Sequence, residues 1–205
     1  MGLVIFGAIA LYAAFLVATV WFAVRAAKRT GKSPWTWGIA AILVVYLLVF
    51  WDHIPTVLAH KYYCEKEAGF WIYKTVDQWK SENPGVLEAL AAELKPLRQS
   101  IGDTNSYTDT TFLNQRFIWV VKTHGPFFLY RWHKEQELFD SKTQEVMARY
   151  VDFRVGYPNW PALGAPADAG LEAAKFWLAS ENCAGGENNA IQMTQFVKDF
   201  MGTKR

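Results

Sequence analysis

GLVIFGAIALYAAFLVATVWFAV (Gly2–Val24), RAAKRTGKSP (Arg25–Pro34) and WTWGIAAILVVYLLVFW (Trp35–Trp51) open the chain, and this three-part stretch decides its architecture. Neither apolar run carries a charged side chain, whereas the segment between them holds Arg25, Lys28, Arg29 and Lys32 and no acid. At a rise of about 1.5 Å per residue the two runs reach roughly 34 Å and 26 Å, against a hydrocarbon core of about 30 Å. The second run crosses only with help from its flanks. The expectation is an N-terminal two-helix transmembrane hairpin, helices about 2–24 and 35–51, joined by a basic loop over 25–34.

Orientation follows from the cations. Short loops rich in Lys and Arg stay on the cytoplasmic side, so the basic loop is expected inside, with the N-terminus and everything after Trp51 outside. Trp21, Phe22, Trp35 and Trp37 fit an inner aromatic belt, and Phe50 and Trp51 an outer one. A cleaved secretory signal needs its cations before the apolar run, and here they follow it. Small residues at Gly7, Ala10, Ala14 and Ala18, facing Gly38 and Ala41, suit two helices that approach closely.

Working outward, residues 52–205 read as one extracytoplasmic α+β domain. Four of the 21 basic residues lie in the opening stretch and no acid precedes Asp52. The remainder therefore sets 17 cations against 19 acids, net −2, evenly mixed. No basic stripe exists for a phosphate backbone, so nucleic acid is not an expected partner. Trp71, Trp79, Trp119, Trp132, Trp160 and Trp177 give the domain enough large apolar anchors to exclude disorder.

Local patterns place its elements. His53–Glu67 reads as a helix with Pro55 in its first turn or at a kink. Phe70–Val76 is aromatic and β-branched, hence a strand. Val86, Leu87, Leu90 and Leu94 recur at helical spacing up to Pro96. Gly102–Thr111 reads as a polar loop. Three consecutive strands then make an antiparallel meander: Phe117–Val121, Phe127–Phe139 after a turn at His124-Gly125-Pro126, and Val146–Val155 after a turn at Asp140–Thr143. On the last, Met147, Val151, Phe153 and Val155 fall on one face at period two. Gly156–Pro166 is an aromatic, proline-rich loop, Ala167–Asn182 an Ala-rich helix. Asn188 is placed to cap a final helix whose apolar side is Ile191, Phe196, Val197 and Phe200.

The chemistry-bearing residues are few. Cys64 and Cys183 are the only cysteines, and in an oxidising compartment they are expected to pair. His53, His60, Cys64 and Glu67 share one stripe if their helix is continuous, which makes them weak candidates for a soft-metal site, since no clear fourth-ligand pattern accompanies them. Arg131, His133, Glu135 and Glu137 alternate onto one strand face. His133 is conceivable there as a general base oriented by Glu135, although such alternation also describes a solvated sheet face. None of G-x-S-x-G, H-E-x-x-H, C-x-x-C or a phosphate-cradling glycine loop occurs. Tyr157 and Trp160, between prolines, suit a preordered anchor for a partner protein.

These readings converge on a tethered, non-catalytic interaction or assembly module of a cell-envelope complex. Its expected partners are the lipid bilayer and other envelope proteins, without cofactor. The bacterial inner membrane, with the domain in the periplasm, is the expected location, the domain having no N-x-S/T sequon. The alternative is an envelope enzyme or metal-binding protein using His53, His60 or His133.

Overall fold

A computed structural model describes residues 2–90, 97–103, 105–156, 178 and 182–201. The chain forms two compact units, Met1–Ile54 and Pro55–Arg205.

The first unit is a pair of helices, α1 (Gly2–Arg29) and α2 (Pro34–Phe50). Within α1, Ala10–Arg29 has mean hydropathy 1.7 and is long and apolar enough to cross a membrane. The helices pack on one another. Tyr12 Oη donates to the Val45 carbonyl at 3.3 Å, and its ring meets Phe50 edge-on. Gly38 sits where a Cβ would be 3.4 Å from Val24 Cγ2, and Ala27, Ala41 and Val45 are buried.

The expected basic loop over 25–34 is corrected here: Arg25, Lys28 and Arg29 belong to the last turns of α1. Ala, Arg and Lys are strong helix formers, and cations at a helix C-terminus interact favourably with its dipole. The helix ends only at Gly31, whose φ of 68° is the left-handed stop that glycine accepts readily. Arg25 and Lys32 lie over the Trp21 and Trp37 rings, each at 5.2 Å.

Helix α3 (His53–Lys66) leads into the second unit, with Pro55 in its first turn, where the missing N–H has no partner to lose. The unit is α+β, built on one antiparallel six-stranded sheet in the order β1-β6-β5-β4-β3-β2. Its strands are β1 (Gly69–Ile72), β2 (Leu97–Gly102), β3 (Ser106–Phe112), β4 (Phe117–Phe127), β5 (Arg131–Asp140) and β6 (Glu145–Val155). Helices α4 (Val76–Glu82), α5 (Val86–Ala89) and α6 (Gly186–Asp199) complete it.

The sheet is wider than the three-stranded meander. β1 stops at Ile72 because Thr75 caps α4: its hydroxyl accepts from the Gln78 N–H while the Gln78 side chain accepts from the Thr75 N–H. Val76 thus opens a helix instead of ending a strand. The helix expected from Val86 ends at Ala89, with Leu90 extended, and residues 91–96 lie outside the described residues. The polar loop expected over 102–111 is largely β3, whose Thr-rich ladder pairs with β4.

The turn expected at His124-Gly125-Pro126 is instead a bulge inside β4. Pro126 is tolerated there because a bulge asks no ladder N–H of it. Gly125 is required, since at φ 146° a Cβ would come within 2.9 Å of the Arg131 carbonyl. The true reversal is Phe128–Tyr130, with Leu129 (φ 63°, ψ 34°) and Tyr130 (φ 56°) both left-handed. Asn-Gly usually occupies such a turn. For bulky residues the conformation costs about 1–2 kcal/mol each.

The main core lies on one sheet face. Trp79, Leu87, Phe117, Leu138, Met147, Ala148 and Tyr150 meet Met193, Phe196, Val197 and Phe200 of the C-terminal segment. Met147 was expected on the face of Val151 and Phe153. A register shift puts Phe139 opposite Val146 but Leu138 opposite Ala148, so Met147 is the extra residue of a bulge and joins Ala148 in the main core. Val151 and Phe153 face the other way and pack on Tyr63, Cys64, Ala68 and Cys183. On α6 the N-cap is Gly185 rather than Asn188, and Ile191 is exposed. The expected loop and helix over 157–181, with Tyr157 and Trp160, lie outside the described residues apart from Leu178.

Candidate functional site

The metal-ligand stripe does not assemble as spaced. His53 turns its Nδ1 to the Tyr46 hydroxyl, at 2.8 Å. His60 and Cys64 do meet, with Nε2 at 3.5 Å and Nδ1 at 3.8 Å from the sulfur. Their third member is Cys183, brought from 119 residues away, and Glu67 is outside the group. The cysteines stand at disulfide distance, with sulfurs 2.00 Å and Cα atoms 5.3 Å apart. That Cα separation is ordinary for a bridge. Cys183 is held there by its backbone. Its N–H donates to Asp152 Oδ1 at 3.1 Å, Arg154 bridges Asn182, and the Tyr150 hydroxyl donates to the Gly186 carbonyl at 2.9 Å. Burial pushes the Tyr150 hydroxyl up, with Asp152 adding to it, so it remains a donor. Gly186 packs closely on this group: a Cβ there would lie 3.0 Å from both Asp152 oxygens, so the carboxylate would have to give way to a side chain.

His133 lies on the sheet face toward α3. Its ring stacks on Phe153 at 5.0 Å, and it faces His124 across the β4–β5 ladder. Glu135, the expected orienting acid, belongs to a charge lattice instead. It accepts from Arg149 at 2.6 Å, while Lys122 reaches Glu137 at 2.8 Å and Glu135 at 3.9 Å. Burial lowers the His133 pKa, with His124 and Arg149 acting the same way and Glu135 and Glu67 opposing. A general base needs its orienter in reach, and no hydrogen bond joins His133 to Glu135 among the described residues.

The sign of the pH effect follows. A histidine with a lowered folded-state pKa contributes fully above its unfolded value of about 6.5 and loses that contribution as pH falls below it. His133→Phe, which keeps a ring against Phe153, is expected to shrink the difference in urea midpoint between pH 7 and pH 5. An unchanged difference would mean that the folded chain does not resist protonation there.

Sequence spacing missed one pair altogether. Ser106 Oγ and His124 Nδ1 are 2.7 Å apart on β3 and β4, because Ser106 registers opposite His124. Eighteen residues separate them, and no motif links a serine to a histidine at that distance. Among the described residues no carboxylate hydrogen-bonds His124, so this is two parts of a nucleophile–base–acid arrangement without the third. No family model, curated protein or solved structure matches this chain.

On the opposite sheet face a cleft of about 390 Å³ opens beside the start of α6, lined by Tyr107, Thr123, Lys134, Asp152, Arg154 and Glu187 among others. Its cations and acids are mixed, and Asp152 is already engaged with Cys183. The outermost strand, β2, differs from every other: all six of its residues are exposed, Ile101 at 73 %. Among the described residues it pairs only with β3.

Proposed function

We propose that this chain is a membrane-tethered, non-catalytic docking module of a cell-envelope complex. In this reading α1 and α2 form a transmembrane hairpin with the cations Arg25, Lys28, Arg29 and Lys32 at its cytoplasmic end. The α+β unit then sits on the outer face of the inner membrane, where a Cys64–Cys183 bridge is chemically at home. The observation that carries it is a contrast. His53, Cys64, Cys183, His133 and Glu135 are each tied into a structural pairing, while β2, which carries exposed Leu97 and Ile101, has among the described residues no strand paired to its outer edge. An unpaired edge strand is a template for pairing with another chain. The tether supports this by raising the module's effective concentration toward membrane partners.

A photo-crosslinking residue at Gln99, in intact membranes, tests it. A discrete adduct is expected from Gln99, absent from Lys142 in the β5–β6 turn and lost when Ile101→Lys is added. His60→Gln and His133→Gln are expected to leave the adduct intact. No adduct from any β2 position, or loss with the histidine variants alone, would overturn the docking reading.

One observation favours the metal-binding alternative. The ligand atoms of His60, Cys64 and Cys183 lie within 4.8 Å of one another, so the reduced thiols and the imidazole form a three-donor set of the kind zinc accepts. Stoichiometric metal in the purified protein, lost with Cys183→Ser, would replace the bridge with that site.

A further inference from the structure

Among the described residues of the second unit, the tip of the β4–β5 hairpin is the most exposed aromatic point: Phe128 is 82 % exposed and Phe127 47 %. Turn chemistry does not call for these residues. Leu129 and Tyr130 hold a left-handed pair of conformations that Asn-Gly would adopt with less strain, so apolar bulk is kept at the tip against the local backbone preference.

The position of the tip is fixed by contacts within this unit. Gly69, just after α3, pairs with Val151, whereas Tyr63 lies on Phe153 and under the Arg131 guanidinium, 3.5 Å from its ring. Arg131 in turn pairs with Val155 and reaches the Phe127 ring at 5.6 Å. Moving backward along α3 therefore moves along β6 from Val151 toward Val155, to the end where the hairpin reverses. About 8 Å further back lie Val57 and Leu58, both exposed. Pro55 follows Trp51, the last residue of the second apolar run, by only four residues, at most about 14 Å of chain.

From this we infer that Phe127 and Phe128, with Val57 and Leu58, form a second membrane contact, an aromatic tip seated in the interfacial layer of the lipid surface that receives α2. This rests on the tether reading above. Phenylalanines and leucines on a folded surface next to a bilayer gain by entering the headgroup–acyl boundary. Such a contact would hold the sheet end-on to the membrane and present β2 edgewise to partners in the same plane.

Nitroxide labels at Phe128→Cys, Lys142→Cys and Ile42→Cys test it in the full chain reconstituted into phosphatidylcholine–phosphatidylglycerol vesicles, with the unmutated protein giving the background. Collision with oxygen is compared with collision with a water-soluble nickel chelate. The expected result is oxygen-dominated relaxation at Phe128 and Ile42, and nickel-dominated relaxation at Lys142, at the other end of the strands. A water-exposed Phe128 with Ile42 in hydrocarbon would overturn the tip contact and leave the tether standing. Water at all three positions would overturn both, and lipid at all three would overturn the end-on arrangement.

Discussion

Asp140→Asn is expected to destabilise the α+β unit by about 3–5 kcal/mol, the usual consequence of removing one partner of a buried ion pair. Asp140 is fully buried. Its carboxylate accepts from Arg116 Nε at 2.7 and 2.9 Å, from Trp79 Nε1 at 3.1 Å and from the Lys142 N–H at 2.9 Å. The guanidinium is itself nearly buried, 4.6 Å over the Trp79 ring. An amide in place of the carboxylate would leave that cation without a counter-charge and turn two N–H groups toward it. Arg116→Met in the same background is expected to restore much of the loss, because the uncompensated charge disappears. A double-mutant cycle from urea unfolding of the full chain in detergent, followed by tryptophan fluorescence, reads the coupling directly. Additive losses would mean that the pair is not mutually dependent.

The same carboxylate sets an acid limit. Burial alone would raise the Asp140 pKa, but the bonds from Arg116, Lys142 and Trp79 outweigh it and hold the group below the usual carboxylate range. A carboxylate lowered in the folded state contributes fully above its unfolded value of about 3.9 and loses that contribution as pH falls through the folded value. Acid unfolding of Asp140→Asn is therefore expected to show a shallower pH dependence below about pH 4 than the unmutated chain. An identical slope would place the acid sensitivity elsewhere.

The second large effect concerns the cysteines. Cys64→Ser and Cys183→Ser, singly or together, are each expected to cost up to about 5 kcal/mol, since a bridge across 119 positions restricts the unfolded chain over a long loop. The loss should appear as a lower urea midpoint, because a Cys64–Cys183 bridge would hold the chain just before α6 to the end of α3. Alkylation of the unfolded chain without reductant should modify neither cysteine, and with reductant both. Two reactive thiols without reductant would sink the bridge, and with it one support for an oxidising location.

How far the residues alone revealed this differs by element. The apolar helix α1, the paired strands β5 and β6, the turn between them and the cysteine pair were all legible, because each is written in a local pattern or, for two cysteines, in there being only one possible partner. β2 and β3 were not. LRQSIG is exposed throughout and SYTDTTF is mostly polar, its one buried residue being Asp109, so neither shows the apolar alternation that marks a half-buried strand. The hairpin reversal was misplaced because Gly125-Pro126 carries a strong turn signal that the ladder absorbs as a bulge, while Leu129-Tyr130 carries none. The Ser106–His124 contact and the Arg116–Asp140–Trp79 network have no sequence signature, their members being 18, 24 and 61 residues apart.

The sequence by itself determined what short-range physics decides: a long helix free of charge until its basic end, an α+β unit with mixed charge, and one available cysteine pairing. Only the tertiary structure decided which faces are buried and what shares them. A bulge of one residue moved Met147 from one face of the sheet to the other, strand pairing seated Asp140 on Arg116 beneath Trp79, and the contact of Tyr63 with Phe153 set α3 against β6. Register and burial arise from contacts between distant residues, whose free energies no local window contains.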